Sequence, residues 1–247
     1  MKLNATETQR SSLFSIVVLA YRAEDSIIQY VAKLESLLSS NSINNYEIIL
    51  VANYDQNRCD LTPDIARNLS ENNSRIRALT EPKKGMMGWD ARMGLLASTG
   101  DTIALIDGDG QMPAKDIIRV HNVMVSGEFD FVKTYRISRG DGWSRKIASL
   151  GFNFIFRLMF PGCRFRDVNS KPKIFSRYAL DSLNLGCNGW FFDGEVVTEA
   201  MRLDFSFAEI PTHFKENEWR GSFVNLATVL EMLISIIKIR ILKWKRY

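Results

Sequence analysis

Thr102-Ile-Ala-Leu-Ile106 followed by Asp107-Gly-Asp109-Gly-Gln111 is the stretch on which the reading of this chain turns. The apolar half is short, rich in β-branched residues, opened by Gly100-Asp101 and closed by glycines, the pattern of a strand buried in a parallel sheet. The polar half sets two carboxylates one residue apart where that strand ends. In open α/β sheets the carboxyl ends of the strands form the rim at which ligands bind. Hard oxygen donors without Cys or His beside them suit Mg²⁺ or Mn²⁺, and Mg²⁺ usually links protein carboxylates to substrate phosphates. The pair therefore points to a metal–diphosphate site, although an acidic glycine-rich turn of no chemical consequence would read the same in isolation.

Outward from this stretch, strand and helix patterns alternate. Phe14 to Ala20, Tyr46 to Ala52, and Arg75 to Thr80 have the composition of strands. Between them, Ser26 to Leu38 has helical spacing with Asp25 or Ser26 available as a cap, and Thr62-Pro63-Asp64 opens a helix toward Leu69. Asp90 to Ser98 and Pro113 to about Val125 are helical on either side of the central strand. This β-α order predicts a mostly parallel sheet with right-handed crossovers. Beyond it, Phe131 to Thr134 reads as a strand, Trp143 to Phe160 as an aromatic-rich helix, Gly162 to Ser176 as a basic loop and short strand, Phe192 to Leu203 as a helix, and Phe205 to Pro211 as a last strand. No linker divides residues 1–222. Residues 223–247 differ in kind: they are apolar at first, then end with five basic residues, a Trp and a Tyr from Lys238 onward. Such a basic amphipathic helix can lie among the headgroups of an anionic membrane, or pack on the domain with its basic end solvated. Glu231 argues against a span.

The bulk numbers agree with a globular α/β protein: 247 residues, 46% hydrophobic, 24% charged, with a net charge of only +4. Nucleic acid is not among the expected partners. Cys59, Cys163 and Cys187 are too few and too scattered for a disulfide framework or a zinc site, which suits a reducing compartment. The polar start has no signal-peptide core, and no run reaches the ~20 apolar residues of a membrane span. The expected location is the cytoplasm, peripheral to a membrane face.

With these residues placed, the chain resembles a family 2 glycosyltransferase of the GT-A fold, most like the dolichol-phosphate mannose synthase and polyprenyl-phosphate glycosyltransferase branch. The resemblance runs from about Phe14 to Ser222. It is carried by Ser15 to Tyr21, Tyr46 to Val51, Gly94 through Gly100-Asp101 into Asp107-Gly-Asp-Gly-Gln111, Asp167-Val-Asn-Ser170, Gly189-Trp-Phe-Phe-Asp193-Gly-Glu195, and Ala208-Glu-Ile-Pro211. It implies a Rossmann-like, mostly parallel sheet, and an inverting enzyme that takes a sugar from a nucleotide-diphosphate donor. Asp107, Asp109 and Gln111 are implied to hold Mg²⁺ or Mn²⁺ on the donor diphosphate. Tyr21, Arg22 and Asn53 match positions near the nucleotide, and Arg220 is the candidate diphosphate contact in a degraded late motif. An acceptor phosphate site is implied at Arg136, Arg145 and Ser149, where the planar fork of arginine suits a phosphate. A phosphate acceptor is already ionised and needs no base. A sugar hydroxyl would need a carboxylate, and Asp193 or Asp167 are the candidates.

The chain departs from the pattern at Arg22-Ala23 in place of Asn-Glu, at Ala52-Asn53 in place of Asp-Asp, and at Lys171 in place of a glycine, where backbone freedom is lost. These changes bear on the donor site and leave open a non-catalytic relative that binds a membrane or partner. A sugar-phosphate nucleotidyltransferase would need a glycine-rich basic loop after the first strand, which Leu19 to Ala23 is not. His213 is read as a packing histidine rather than a metal ligand, and His121 as structural. Phe152 to Phe160 reads as core rather than a lipid guide. Met86, Met87 and Trp89 are neighbours of the donor site or incidental residues of a loop.

Overall fold

The computed structural model describes residues 12–139, 143–215 and 226–242, apart from the side chains at 139, 143–145, 226–227 and 242. In chain order the elements are β1 (Phe14–Leu19), α1 (Ser26–Ser40), β2 (Tyr46–Val51), α2 (Thr62–Asn72), β3 (Ile76–Leu79), α3 (Met87–Ala97), β4 (Thr102–Asp107), α4 (Lys115–Gly127), β5 (Phe131–Arg139), α5 (Trp143–Met159), β6 (Lys173–Ser176), α6 (Arg177–Ser182), α7 (Phe192–Arg202), β7 (Phe207–Phe214) and α8 (Leu226–Leu242). The described strands form one sheet in the order β3-β2-β1-β4-β6-β5-β7. All neighbours run parallel except β6, which is antiparallel to both β4 and β5.

The alternation of side chains along each strand divides the core into two layers. Ile16 and Val18 face α1, α2 and α4, while Val17 and Leu19 face α3, α5, α7 and α8. The inner strands β1, β2 and β4 are covered on both faces, which is why the sequence shows continuous apolar runs there.

Register then determines what meets at the rim. Leu19 pairs with Asp107, so β1 and β4 end together. Lys173 opens β6 opposite both Leu105 and Lys133, because β6 runs the other way. The segment before β6 and the second half of β5 therefore emerge at the same edge as the Asp107 loop. The end of β7 joins them: the Lys215 amide donates to the Gln111 carbonyl at 2.9 Å, and Gln111 Nε2 donates to the Lys215 carbonyl at 3.3 Å.

Several sequence expectations are corrected. β5 continues to Arg139 rather than stopping at Thr134, since it gains the whole length of β7 as a parallel partner. α6, in a stretch for which the sequence suggested no element, is capped by the Ser176 side chain, which accepts from the Ala179 amide at 3.0 Å. Neither Asp25 nor Ser26 caps α1 by a side-chain acceptor; the Ser26 hydroxyl instead donates to the Ala23 carbonyl. The aromatic run of α5 divides: Phe156 and Phe160 are buried, Phe152 is half-buried against Phe156 and Phe191, and Phe154 faces outward at 68% exposure. α8 packs on the domain through Ile236, Met232 and Leu233, and Glu231 accepts from the Trp190 amide at 3.0 Å. The basic end from Lys243 lies outside the described residues.

Candidate active site

The Asp107 loop owes its shape to its two glycines. A Cβ on Gly108 would lie 2.9 Å from Val18 Cγ1 and 3.1 Å from the Leu19 carbonyl, and Gly110 has φ +71°. The first allows the loop to lie against the end of β1, and the second lets the chain turn back. Asp109 accepts from the Gln111 amide at 3.1 Å, which tightens the turn. Asp107 remains partly open to solvent, with its side chain 31% exposed.

Beside Asp107 lies a buried charge cluster. Lys171 Nζ is 3.1 and 3.2 Å from the two Asp107 oxygens and 3.3 Å from Asp193 Oδ2. Lys173 Nζ donates to Asp193 Oδ1 at 2.7 Å. Burial opposes the charge on Lys171, but Asp107 and Asp193 outweigh it and hold the ammonium protonated above the usual lysine range. Burial likewise opposes the Asp193 charge, and the two lysines outweigh it, so the carboxyl stays below its usual range. Burial dominates at Lys173 and lowers it to about 7.

On the neighbouring strands Arg136 forms a two-pronged pair with Asp167, Nε to Oδ2 at 2.6 Å and Nη2 to Oδ1 at 2.8 Å. Burial works to raise the Asp167 carboxyl, and the Arg136 guanidinium outweighs it, holding the group well below the normal carboxylate range. Lys133, fully buried, donates to the Thr134 and Asp167 carbonyls and to Glu209 Oε1 at 3.2 Å. Ser149 lies on α5, one turn before Asn153, whose Oδ1 accepts from the Val168 amide at 3.0 Å. α5 thus borders the Asp167 turn. Arg145 lies one turn before Ser149 on α5, and its side chain and Arg220 lie outside what is described.

The nucleotide-side candidates lie at the ends of β1 and β2. Arg22 adopts φ +53°, a conformation that asparagine tolerates better than arginine. Asn53 is 1% exposed; its Nδ2 donates to Asp90 Oδ1 at 2.9 Å, and its Oδ1 accepts from the Glu81 amide at 2.8 Å. Lys83 pairs with Asp90 and stands 4.4 Å above the Tyr21 ring. Met87 Sδ, at the start of α3, is 3.8 Å from Lys171 Nζ and so reaches the site, whereas Met86 is exposed. Sequence reading missed Lys83, Asp90 and Lys173 and took Lys171 only as a lost glycine. A lysine inside a buried strand, as at Lys133 and Lys173, was the available signal, because such a charge requires a buried partner.

His213 is exposed on β7, with Nδ1 2.7 Å from the Ser138 hydroxyl. His121 stacks on Phe14 at 4.2 Å, and burial lowers it to about 4. A cavity of about 390 Å³ lined by Arg164, Phe165, Met201, Asp204 and Phe207 opens at the opposite edge of the sheet, where β5 and β7 begin, and has no part in the site.

The donor chemistry of the loop fits a divalent ion. Asp107 and Asp109 offer hard oxygens, and among the described residues no three His, Cys, Asp or Glu side chains close a metal site by themselves. Open coordination of this kind suits an ion shared with a diphosphate. The buried Tyr30 hydroxyl, without a hydrogen-bond partner, is raised by burial and then by Asp109 and Asp107, so the loop's negative field reaches α1.

A seven-stranded, mostly parallel α/β sheet flanked by helices, with an Asp-x-Asp loop at its rim, is the architecture of the GT-A fold. The family described as "Glycosyl transferase family 2" matches residues 15–187, and the chain belongs to it. Among curated proteins it is similar to glycosyltransferase AglD of Haloferax volcanii, 28% identical over 218 residues that cover 81% of this chain and 33% of that protein. It is also similar to dolichyl-phosphate beta-glucosyltransferase ALG5C of Trichomonas vaginalis, 26% identical over 92% of this chain and 70% of that one. The chain thus spans about a third of AglD and about 70% of ALG5C. Solved structures share the fold: glucosyl-3-phosphoglycerate synthase from Mycobacterium tuberculosis, in complex with Mn²⁺, UDP and phosphoglyceric acid, at TM-score 0.70 and 18% identity, covering 96% of this chain and 81% of that one. Mannosyl-3-phosphoglycerate synthase from Rubrobacter xylanophilus aligns at TM-score 0.72 and 14% identity over 98% and 79%.

Proposed function

We propose that this glycosyltransferase moves a sugar, with inversion, from a nucleotide-diphosphate donor onto a polyprenyl- or dolichyl-phosphate lipid. The observation that carries the reading is the double role of α5. Its inner face borders the Asp167 turn beside the Asp107 loop, and its outer face exposes Ile147, Leu150, Phe154 and Leu158. α8 packs beside it and exposes Leu230, Ile234, Ile237 and Ile241. Apolar stripes exposed to this extent among the described residues mark an interaction surface. Lys146, Arg157, Lys238 and Arg240 flank them, which suits an anionic bilayer holding the acceptor's hydrocarbon. Among the described residues no helix is long and apolar enough to cross a membrane. The dolichyl-phosphate acceptors in the names of relatives agree with this reading.

Asp107, Asp109 and Gln111 would hold Mg²⁺ or Mn²⁺ against the donor diphosphate, where the ion stabilises the charge of the leaving nucleoside diphosphate. Tyr21, Arg22, Lys83 and the Asn53–Asp90 pair form the nucleoside side. On the acceptor side, Arg136, Arg145 and Ser149 would orient a phosphate whose oxygen attacks the anomeric carbon. The two carboxylates that a hydroxyl acceptor would need as base are both committed to cations: Asp193 to Lys171 and Lys173, Asp167 to Arg136. An acceptor that brings its own charge needs neither.

Calorimetric titration with UDP, GDP, CDP and dTDP is expected to show Mn²⁺-dependent binding of one nucleotide, abolished in Asp109→Asn. Transfer is then expected onto a short polyprenyl phosphate and not onto the matching alcohol; transfer to the alcohol alone would sink the lipid-phosphate reading. Phe154→Glu/Leu158→Glu changes side chains 68% and 69% exposed, so the fold should hold. Sedimentation with phosphatidylserine-containing vesicles is expected to fall at least tenfold, and unchanged sedimentation would refute the bilayer face.

A further inference from the structure

A lysine ammonium lies on the first carboxylate of the Asp-x-Asp pair. Lys171 Nζ spans both oxygens of Asp107, at 3.1 and 3.2 Å, and Asp193 Oδ2 at 3.3 Å. Its side chain is 4% exposed. Its backbone is pinned as well: the carbonyl accepts from the Thr134 hydroxyl at 2.6 Å, and the next carbonyl, of Pro172, accepts from the Thr134 amide at 3.3 Å. The ammonium is thus presented to Asp107 by a fixed turn, not by a surface tether. Asp193 does not depend on it alone, since Lys173 occupies the other oxygen at 2.7 Å.

The charge balance follows. Asp107 already faces the ammonium of Lys171, which it shares with Asp193. A divalent ion brought against Asp107 by itself adds two positive charges beside a buried ammonium, where the low dielectric magnifies the repulsion. An ion arriving with a nucleoside diphosphate carries its own compensation. We propose that Lys171 holds the Asp107 carboxylate against a free divalent cation, so that metal enters this site only together with the donor diphosphate. This inference rests on the reading of the rim as a metal–diphosphate site and adds the residue that orders the two ligands. Lys171 acts here through Asp107 and is a positioning residue.

The test is Mn²⁺ binding to the full chain, followed by loss of the free-ion electron paramagnetic resonance signal, with no nucleotide present. Lys171→Gln keeps hydrogen-bond donors for both carboxylates while removing the charge, and Lys171→Met removes both; circular dichroism and thermal melts establish that each is folded. Lys171→Gln is expected to bind Mn²⁺ alone at least tenfold more tightly than the unaltered protein, with Lys171→Arg close to the latter. The gap is expected to close when the nucleoside diphosphate found by titration is added. Equal Mn²⁺ affinity of the unaltered protein and Lys171→Gln without nucleotide overturns the inference. Failure of every nucleoside diphosphate to bind with Mn²⁺ overturns the functional reading instead, and that outcome is read in a separate titration.

Discussion

Asp167→Asn is expected to lower the unfolding free energy by about 3–5 kcal/mol, the cost of removing one partner from a buried ion pair. Asp167 receives both prongs of Arg136, and the two side chains are 8% and 9% exposed. With an amide in its place the guanidinium loses the carboxylate that takes both of these prongs. For a chain of this size the loss corresponds to a fall of roughly 10 °C in Tm, read by thermal melts and urea titration. The effect has a pH signature. Asp167 is held below its unfolded value, so its contribution is complete above about pH 4. It disappears as the pH falls toward the depressed folded value, because the unfolded chain takes up the proton first. The acid limb of the stability curve is therefore expected to be shallower in the variant, and the two proteins to converge as the pH drops. A variant as stable as the parent at neutral pH would show that the pair is not a structural tie.

Asp107→Asn is expected to lower kcat/KM for sugar transfer by about 10²–10³, the size found when one preorganised charge-stabilising group is removed from a site, with little change in Tm. The side chain is partly solvent-exposed, and Lys171 retains Asp193 as a partner, so the fold does not depend on it. The loss is expected in kcat more than in the KM of the acceptor, since the residue faces the donor diphosphate. Steady-state kinetics in both substrates separates the two. An equal loss for both substrates accompanied by a lower Tm would mark Asp107 as a structural residue.

The first half of the molecule was legible residue by residue. Val17 and Val18 face opposite layers because the strand period is two, and continuous apolar runs mean coverage on both faces; these are local facts that any stretch of chain displays by itself. The Asp107-Gly-Asp109-Gly110 turn was equally legible, since close approach at Gly108 and positive φ at Gly110 demand glycine wherever the chain folds this way. α8 was visible as amphipathic, but its division into a packed face and an exposed one was not.

What the sequence determined by itself was the alternation of elements, the mostly parallel sheet and the carboxylate pair at its rim, because patterning and turn chemistry act within a few residues. What only the tertiary structure decided was which charges meet there. Lys171 finds Asp107 across 64 residues, Asn53 finds Asp90 across 37, and Arg136 finds Asp167 across 31. The Lys171 and Arg136 pairs are set by the antiparallel insertion of β6 between β4 and β5, and a reversal of one strand leaves no mark on local periodicity; the Asn53 pair is set by the packing of α3 across the end of β2. Burial then makes each pairing obligatory, because an ammonium or carboxylate withdrawn from water is retained only against an opposite charge.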